Sequence, residues 1–192
     1  MMEGPGGGTI RAFLALPLSE AQRGEIAGKL APLLGARDPV RWVGPENLHV
    51  TLRFFGDVGP DGRRRIEERG ESAARGKEAF AFRLGPCGAF PNLRGARVLW
   101  VGLSGGVEAV AALAARIEES IAGLGFPAEK RFHAHITVGR TKGALSPGFR
   151  ERFAGLSIEP VEERATVFRL MKSDLTPAGA RYAIVREFPL AP

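Results

Sequence analysis

Two short stretches decide how this chain reads: His49-Val50-Thr51-Leu52 and His135-Ile136-Thr137-Val138. In each, a histidine and a threonine alternate with aliphatic residues. Successive side chains on an extended strand point to opposite faces, so both polar groups share one face and both apolar groups share the other. One face then meets solvent or substrate, and the other meets core. The chain holds three histidines, His49, His133 and His135, so two of them open these phrases and the third precedes the second phrase.

Outward from the first phrase, residues 40–43 and the turn Gly44-Pro45-Glu46-Asn47 lead into a strand expected over residues 48–55 and closed by Gly56-Asp57. Upstream, residues 10–16 read as a strand ended by Pro17. Ser19 follows as a helix cap, with Gln22 in the capping-box position, a buried stripe of Ile26, Leu30, Leu33 and Leu34, and Gly35 as the stop. Downstream, residues 61–75 are helix-permissive, although Gly70 weakens them. Arg63, Arg64 and Arg65 precede Glu67, Glu68 and Glu71, which describes an exposed helix face of mixed charge rather than a nucleic-acid patch. Residues 80–84 and 97–103 read as strands, with a loop between them containing Pro86, Pro91 and Gly95.

The clearest helix is expected over residues 107–124, where Val110, Leu113, Ile117, Ile121 and Leu124 recur at helical spacing before Gly125. The second histidine strand is expected over residues 132–139. A loop or short helix at 146–155, strands at 157–161 and 166–172, a turn at Thr176-Pro177-Ala178-Gly179 and a last strand at 182–188 complete the chain. This order predicts an α+β fold of two similar lobes, each contributing one histidine strand to a shared cleft.

The bulk properties set limits around that pattern. A chain of 192 residues with 44% hydrophobic content can bury a sizeable core, and one bilobal domain over residues 1–192 is expected. Residues 1–8 read as a loose glycine-rich tail without the basic start and apolar middle of a signal peptide, and no apolar run is long enough to cross a bilayer. The expectation is a cytoplasmic protein with no membrane association. Cys87, the single cysteine, excludes an internal disulfide and a multi-cysteine zinc cage, and reads as a small buried thiol. The formal charge of +6 favours polyanionic partners.

Two histidines facing one cleft make a general acid and base pair that works near neutral pH, because an ordinary imidazole titrates near pH 6.5. A threonine on the same strand face can offer its hydroxyl to an oxygen of the group that the histidine serves. Two such sets converge on a phosphate, with Thr51 and Thr137 at its non-bridging oxygens. Arg140, five residues after His135, adds a guanidinium suited to paired phosphate oxygens. No metal or other cofactor is required. His133 and His135 share a strand face, but no third ligand of the right kind is evident near them, so a metal pair is not expected. Trp42, Trp100 and Tyr182 read first as packing residues, with Trp42 placed to border the cleft.

The flanks of both phrases carry a resemblance. Arg11-Ala12-Phe13-Leu14-Ala15-Leu16, the run from Trp42 through His49-Val50-Thr51-Leu52-Arg53-Phe54-Phe55-Gly56, the run Phe132-His133-Ala134-His135-Ile136-Thr137-Val138-Gly139-Arg140, and Ser173-Asp174-Leu175 through Gly179 and Tyr182 together resemble the 2H phosphoesterase superfamily. The match is to its RNA 2′,3′-cyclic phosphodiesterases, also called 2′-5′ RNA ligases. Ala134 departs from that pattern, which usually has proline there.

The resemblance implies a bilobal 2H phosphoesterase-like fold: two lobes of antiparallel sheet, helices packed outside, and an active-site cleft between the sheets. It also implies metal-independent hydrolysis of a terminal 2′,3′-cyclic phosphate to a 2′-phosphate on RNA, tRNA fragments among the substrates, by a monomer. His135 would be the base, His49 the acid, and Thr51, Thr137 and Arg140 the phosphate-holding groups. Phe54 would stack on the terminal base, but strict alternation puts it opposite His49, so a bulge or strand end must re-aim it. With a 5′-hydroxyl of RNA in place of water, the same geometry gives 2′-5′ ligation. The alternatives are a phosphodiesterase of another small nucleotide phosphoester and a non-catalytic RNA- or nucleotide-binding module of the same fold.

Overall fold

Alternating apolar runs punctuated by glycine and proline form the strands in the computed structural model, which describes residues 8–128, 131–176 and 179–192. In chain order the strands are β1 (Ile10–Pro17), β2 (Val40–Trp42), β3 (His49–Val58), β4 (Phe80–Phe90), β5 (Val98–Gly105), β6 (Ile136–Thr141), β7 (Glu162–Ala165), β8 (Val167–Thr176) and β9 (Gly179–Pro189). The helices are α1 (Glu20–Leu34), α2 (Pro60–Ala74), α3 (Val107–Ile121) and α4 (Pro147–Ala154), with a 3-10 turn at Pro45–Asn47. The expected tail (residues 1–7) and the centre of the expected turn (Pro177 and Ala178) lie outside the described residues.

The strands pair in the order β7-β4-β5-β6-β3-β1-β8-β9, with β2 added beside β6. The order has an internal symmetry: from the centre, one half reads β3, β1, β8, β9 and the other β6, β5, β4, β7. The two lobes meet where β3 pairs with β6, antiparallel, through Val50 and Ile136. They are therefore halves of one hydrogen-bonded sheet. Val50, Leu52, Ile136 and Val138 join Ala12, Leu14, Leu16, Leu99 and Val101 in a core that the helices close with Ile26, Ile66, Leu113, Ile117, Phe149 and Phe153. Burying such aliphatic and aromatic side chains contributes about 1.5–3 kcal/mol each against leaving them in water.

Local signals explain most helix ends. Ser19 accepts from the Gln22 backbone N–H at 3.2 Å while Gln22 accepts from the Ser19 N–H at 3.3 Å, closing the capping box of α1. Ser146 caps α4 with its side chain alone, accepting from the Phe149 N–H at 3.2 Å. On α2, Arg63 and Arg64 pair with Glu67 and Glu68 one turn on, at 2.8 and 3.1 Å, as the mixed-charge face predicts. Gly70 is held in that helix by packing: a Cβ there would lie 2.5 Å from the Phe188 ring. Among the described residues no helix is long and apolar enough to cross a membrane.

Several elements depart from the sequence reading. Leu34, expected in the buried stripe, is 54% exposed because the inward face of α1 is Gln22, Ile26, Leu30 and Leu33. β3 runs through Gly56, which adopts φ 73° in a bulge and so continues the strand rather than ending it. β4 continues through Pro86, expected in a loop, because the pairing skips from Leu84 to Cys87 and the missing proline N–H falls in that irregularity. α3 stops at Ile121, before Leu124, where Ala122 turns to ψ 136°. Residues 157–161 are irregular, and the edge strand is instead Glu162–Ala165, paired to β4. The second histidine strand starts at Ile136, leaving His135 just before it.

Candidate active site

The register of the central pair arranges the two phrases. With Val50 opposite Ile136, antiparallel continuation sets His49 across from Thr137 and Thr51 across from His135. Val50 and Ile136 are fully buried on the helix side, so the histidines and threonines share the opposite face. The charge of His135 acts on His49, as expected for two rings on neighbouring strands.

Each phrase then bulges at its fourth residue. Along β1, Ala15 pairs with Thr51 but Leu14 pairs with Arg53, so Leu52 is the extra residue. Along β5, Trp100 pairs with Thr137 but Leu99 pairs with Gly139, so Val138 is the extra residue. A bulge inserts one residue and reverses the parity of the strand beyond it. Leu52 and Arg53 are consequently both buried, as are Val138 and Gly139, and Phe54 and Arg140 both emerge on the histidine face. The re-aiming that Phe54 requires is thus present, and its counterpart five residues after His135 is Arg140. Gly139 suits its place, because a Cβ there would lie 2.9 Å from Val40 Cγ1.

Both imidazoles are held alike. His49 Nδ1 lies 2.7 Å from the Asn47 carbonyl oxygen, and His135 Nδ1 lies 2.7 Å from that of His133. A carbonyl only accepts, so Nδ1 carries the hydrogen in each ring and Nε2 is left to trade protons. His49 Nε2 lies 3.0 Å from Thr51 Oγ1, whose hydroxyl donates to it when the ring is neutral. Burial lowers the His49 pKa to about 4; the Asn47 hydrogen bond opposes this and the His135 charge adds to it. The His135 pKa is lowered chiefly by burial, against its bond to the His133 carbonyl, with smaller contributions from the charges of His133 and Arg140.

Aromatic rings that alternation alone did not single out wall the site. Phe13, 1% exposed, stacks on His49 at 4.9 Å between centroids and meets Tyr182 at 5.0 Å and Phe54 at 5.5 Å. Tyr182, read first as a packing residue, meets the His49 ring edge-on at 5.3 Å and so borders the histidine pair. In the other half, Phe90 stands edge-on to His135 at 5.0 Å and to His133 at 5.2 Å, with Trp100 behind it. Phe13 had one legible sign: β1 is apolar on both faces, so its second face needed a cover. Phe90 had none, since its strand continues past a proline. His133 packs against Phe90 and Trp100. Cys87 stands apart, its thiol pushed up to about 11 by burial. Among the described residues no group of three or more His, Cys, Asp or Glu side chains is placed to hold a metal ion.

Known proteins resemble the chain on both sides of this crossed pair. The sequence model of the LigT-like phosphoesterases matches the chain twice, over residues 18–100 and 101–182, one match around each histidine. The chain belongs to the LigT-like phosphoesterase family. The sheet halves interleave the two matches: β4, from the first, lies in the half that holds β6, and β8, from the second, lies in the half that holds β3. The chain is 38% identical to the RNA 2′,3′-cyclic phosphodiesterase of Methanothermobacter thermautotrophicus over 186 residues, covering 94% of this chain and 99% of that protein. It is 36% identical to the enzyme of the same name from Archaeoglobus fulgidus, covering 93% and 99%. A crystal structure from Thermus thermophilus superposes with a TM-score of 0.83 at 26% identity, covering 94% of this chain and 98% of that one.

Proposed function

We infer that this LigT-like phosphoesterase is an RNA 2′,3′-cyclic phosphodiesterase, converting a terminal cyclic phosphate to a 2′-phosphate. The observation that carries the reading is the crossed His-x-Thr pair, with both Nδ1 hydrogens committed to backbone carbonyls, so that proton traffic falls to the Nε2 atoms, that of His49 beside the Thr51 hydroxyl. Relatives named for this activity cover nearly the whole chain.

In the proposed mechanism, the phosphate sits between the histidines. Thr51, Thr137 and Arg140 donate to its non-bridging oxygens and stabilise the charge that builds in the transition state. Water attacks phosphorus in line with the 3′-oxygen. His135 Nε2 takes a proton from the water as the new P–O bond forms, the P–O3′ bond breaks, and His49 delivers a proton to O3′. The product carries the phosphate on O2′. His135 suits the base because its ring is the more open to solvent, whereas His49 lies under Phe13 and Tyr182, where a proton passes to the departing oxygen rather than to bulk water. The incoming anion raises the imidazole pKa and helps His49 to hold that proton. The exposed face of Phe54 offers the terminal base a stacking platform. One chain holds both phrases, which supports a monomer as the working unit, and action on RNA fits a cytoplasmic enzyme. A 5′-hydroxyl of RNA in place of water would give the 2′-5′ joining reaction, with hydrolysis dominant because a second RNA end must first be bound and oriented.

The test is incubation of the protein, in excess chelator, with a short RNA ending in a 2′,3′-cyclic phosphate, beside His49→Ala and His135→Ala. The expected product is a 2′-phosphate, with each alanine variant slower by about 10²- to 10⁴-fold. A 3′-phosphate product would reverse the assigned leaving group, and full activity in either variant would remove the two-histidine mechanism.

A further inference from the structure

β3 and β6 run antiparallel, so the residues five places beyond the two histidines lie at opposite ends of the catalytic group, Phe54 at one end and Arg140 at the other. If the terminal nucleoside stacks on Phe54, the Arg140 end is left for something else. That end opens into a cavity of about 450 Å³ whose walls include Arg41, Trp42, Glu46, Arg140, Arg181 and Tyr182.

The cavity is joined to the catalytic group by shared parts. Arg41 is the cross-strand partner of Arg140. Tyr182 is also the ring against His49. Asn47, whose carbonyl orients His49, reaches from its side chain to the Ala180 carbonyl at 3.4 Å and ties the β8–β9 hairpin to the 3-10 turn. Gly179, at φ 143°, leaves room for the Arg41 guanidinium: a Cβ there would lie 3.3 Å from Arg41 Nη2. Three arginines thus face one carboxylate, Glu46, which accepts from Asn47 Nδ2 at 3.1 Å. Asp174, opposite Arg181 on the hairpin, is engaged by Lys172 at 2.9 Å.

We propose that this cavity is a second nucleotide subsite, which holds the phosphodiester and base of the penultimate residue of a single-stranded RNA. The proposal rests on the phosphodiesterase reading above and adds where the rest of the substrate goes. Guanidinium groups pair two phosphate oxygens at once, and the Trp42 and Tyr182 rings offer a base a stacking surface. A volume near 450 Å³ lies within the usual range of ligand pockets, about 300–1,000 Å³, and accommodates one nucleotide. The substrate's own next nucleotide is favoured over a separate strand, because a tether presents it at an effective concentration on the order of millimolar.

The consequence is a preference for oligonucleotides. The experiment measures kcat/KM for a mononucleoside 2′,3′-cyclic phosphate and for a tetranucleotide with the same cyclic end, using the wild-type protein, Arg41→Ala, Arg181→Ala and Arg41→Lys. The wild type should prefer the tetranucleotide. Each alanine variant should lose about tenfold on the tetranucleotide and keep the mononucleoside rate, which also reports that it has folded; Arg41→Lys should recover part of the loss. Equal losses on both substrates, or none on either, would overturn the subsite. So would a variant that joins 5′-hydroxyl RNA poorly yet hydrolyses the tetranucleotide normally, since the cavity would then hold an acceptor strand. If the wild type turns over neither substrate, the phosphodiesterase reading itself fails, and the subsite with it.

Discussion

Replacing Tyr182 by alanine removes one of the two rings that close His49 off from water and should raise the pKa of that histidine. The His49 ring lies between Phe13, stacked at 4.9 Å, and Tyr182, edge-on at 5.3 Å, and its pKa is about 4 because burial penalises the imidazolium. Against an ordinary 6.5 the gap corresponds to roughly 3 kcal/mol, at about 1.4 kcal/mol per pH unit. Water returning on the Tyr182 side should recover on the order of half of that, since Phe13 remains in place. The direction follows from the cause: desolvation disfavours the cation, so rehydration moves the pKa up.

The assay is an NMR titration of the imidazole C–H signals. Three histidines give three Cε1–H resonances, and His49→Ala identifies the relevant one. The same shift should appear in the pH profile of kcat/KM, whose limbs report the free enzyme. With one proton required on a pair of depressed imidazoles, the wild-type optimum should fall on the acid side of neutral, and Tyr182→Ala should move it upward. Stability carries the same signature. The folded pKa lies below the unfolded one, so the unfolded chain takes up the proton first as pH falls. His49 should therefore have little effect above pH 6.5 and destabilise the fold progressively towards pH 4, by at most about 3 kcal/mol. A wild-type His49 midpoint near 6.5, or one that neither Tyr182→Ala nor Phe13→Leu moves, would refute this account of the site.

Phe54→Ala should raise KM for a cyclic-phosphate RNA by about 10- to 100-fold while leaving kcat nearly unchanged, which steady-state kinetics on one substrate will show. Arg53 is 5% exposed and its Nε lies 2.9 Å from Glu118 Oε2, so Glu118→Ala should lower stability in a urea titration, by about 1–2 kcal/mol because Arg53 keeps its bonds to the Phe54 and Pro127 carbonyls. Gly70→Ala should cost about 1–3 kcal/mol although alanine is the better helix former, because the new methyl meets the Phe188 ring; the comparison variant Gly70→Ala with Phe188→Leu should recover part of the loss in the same titration.

The local chemistry of this protein is legible in its sequence. The period of alternation around His49 and His135 put each histidine and its threonine on one strand face, and Ser19 with Gln22 announced the start of α1. The spacing of Val110, Leu113 and Ile117 placed the inner face of α3. These are properties of a few neighbouring residues, and the physics that reads them acts at short range.

What the tertiary structure decided was how those pieces meet. Pairing Val50 with Ile136 crossed the two phrases, and a slip of one residue would have turned either histidine into the core. The bulges at Leu52 and Val138 are set by the partner strands β1 and β5, and only they bring Phe54 and Arg140 onto the histidine face. Phe13 and Phe90 became walls of the site because β1 and β4 lie beside the histidine halves, and β4 could pass through Pro86 because its irregular pairing with β5 needed no donor there. Alternation along a strand is a property of the strand alone, but which residue is left over in a ladder depends on the strand opposite, and that partner is distant in the chain.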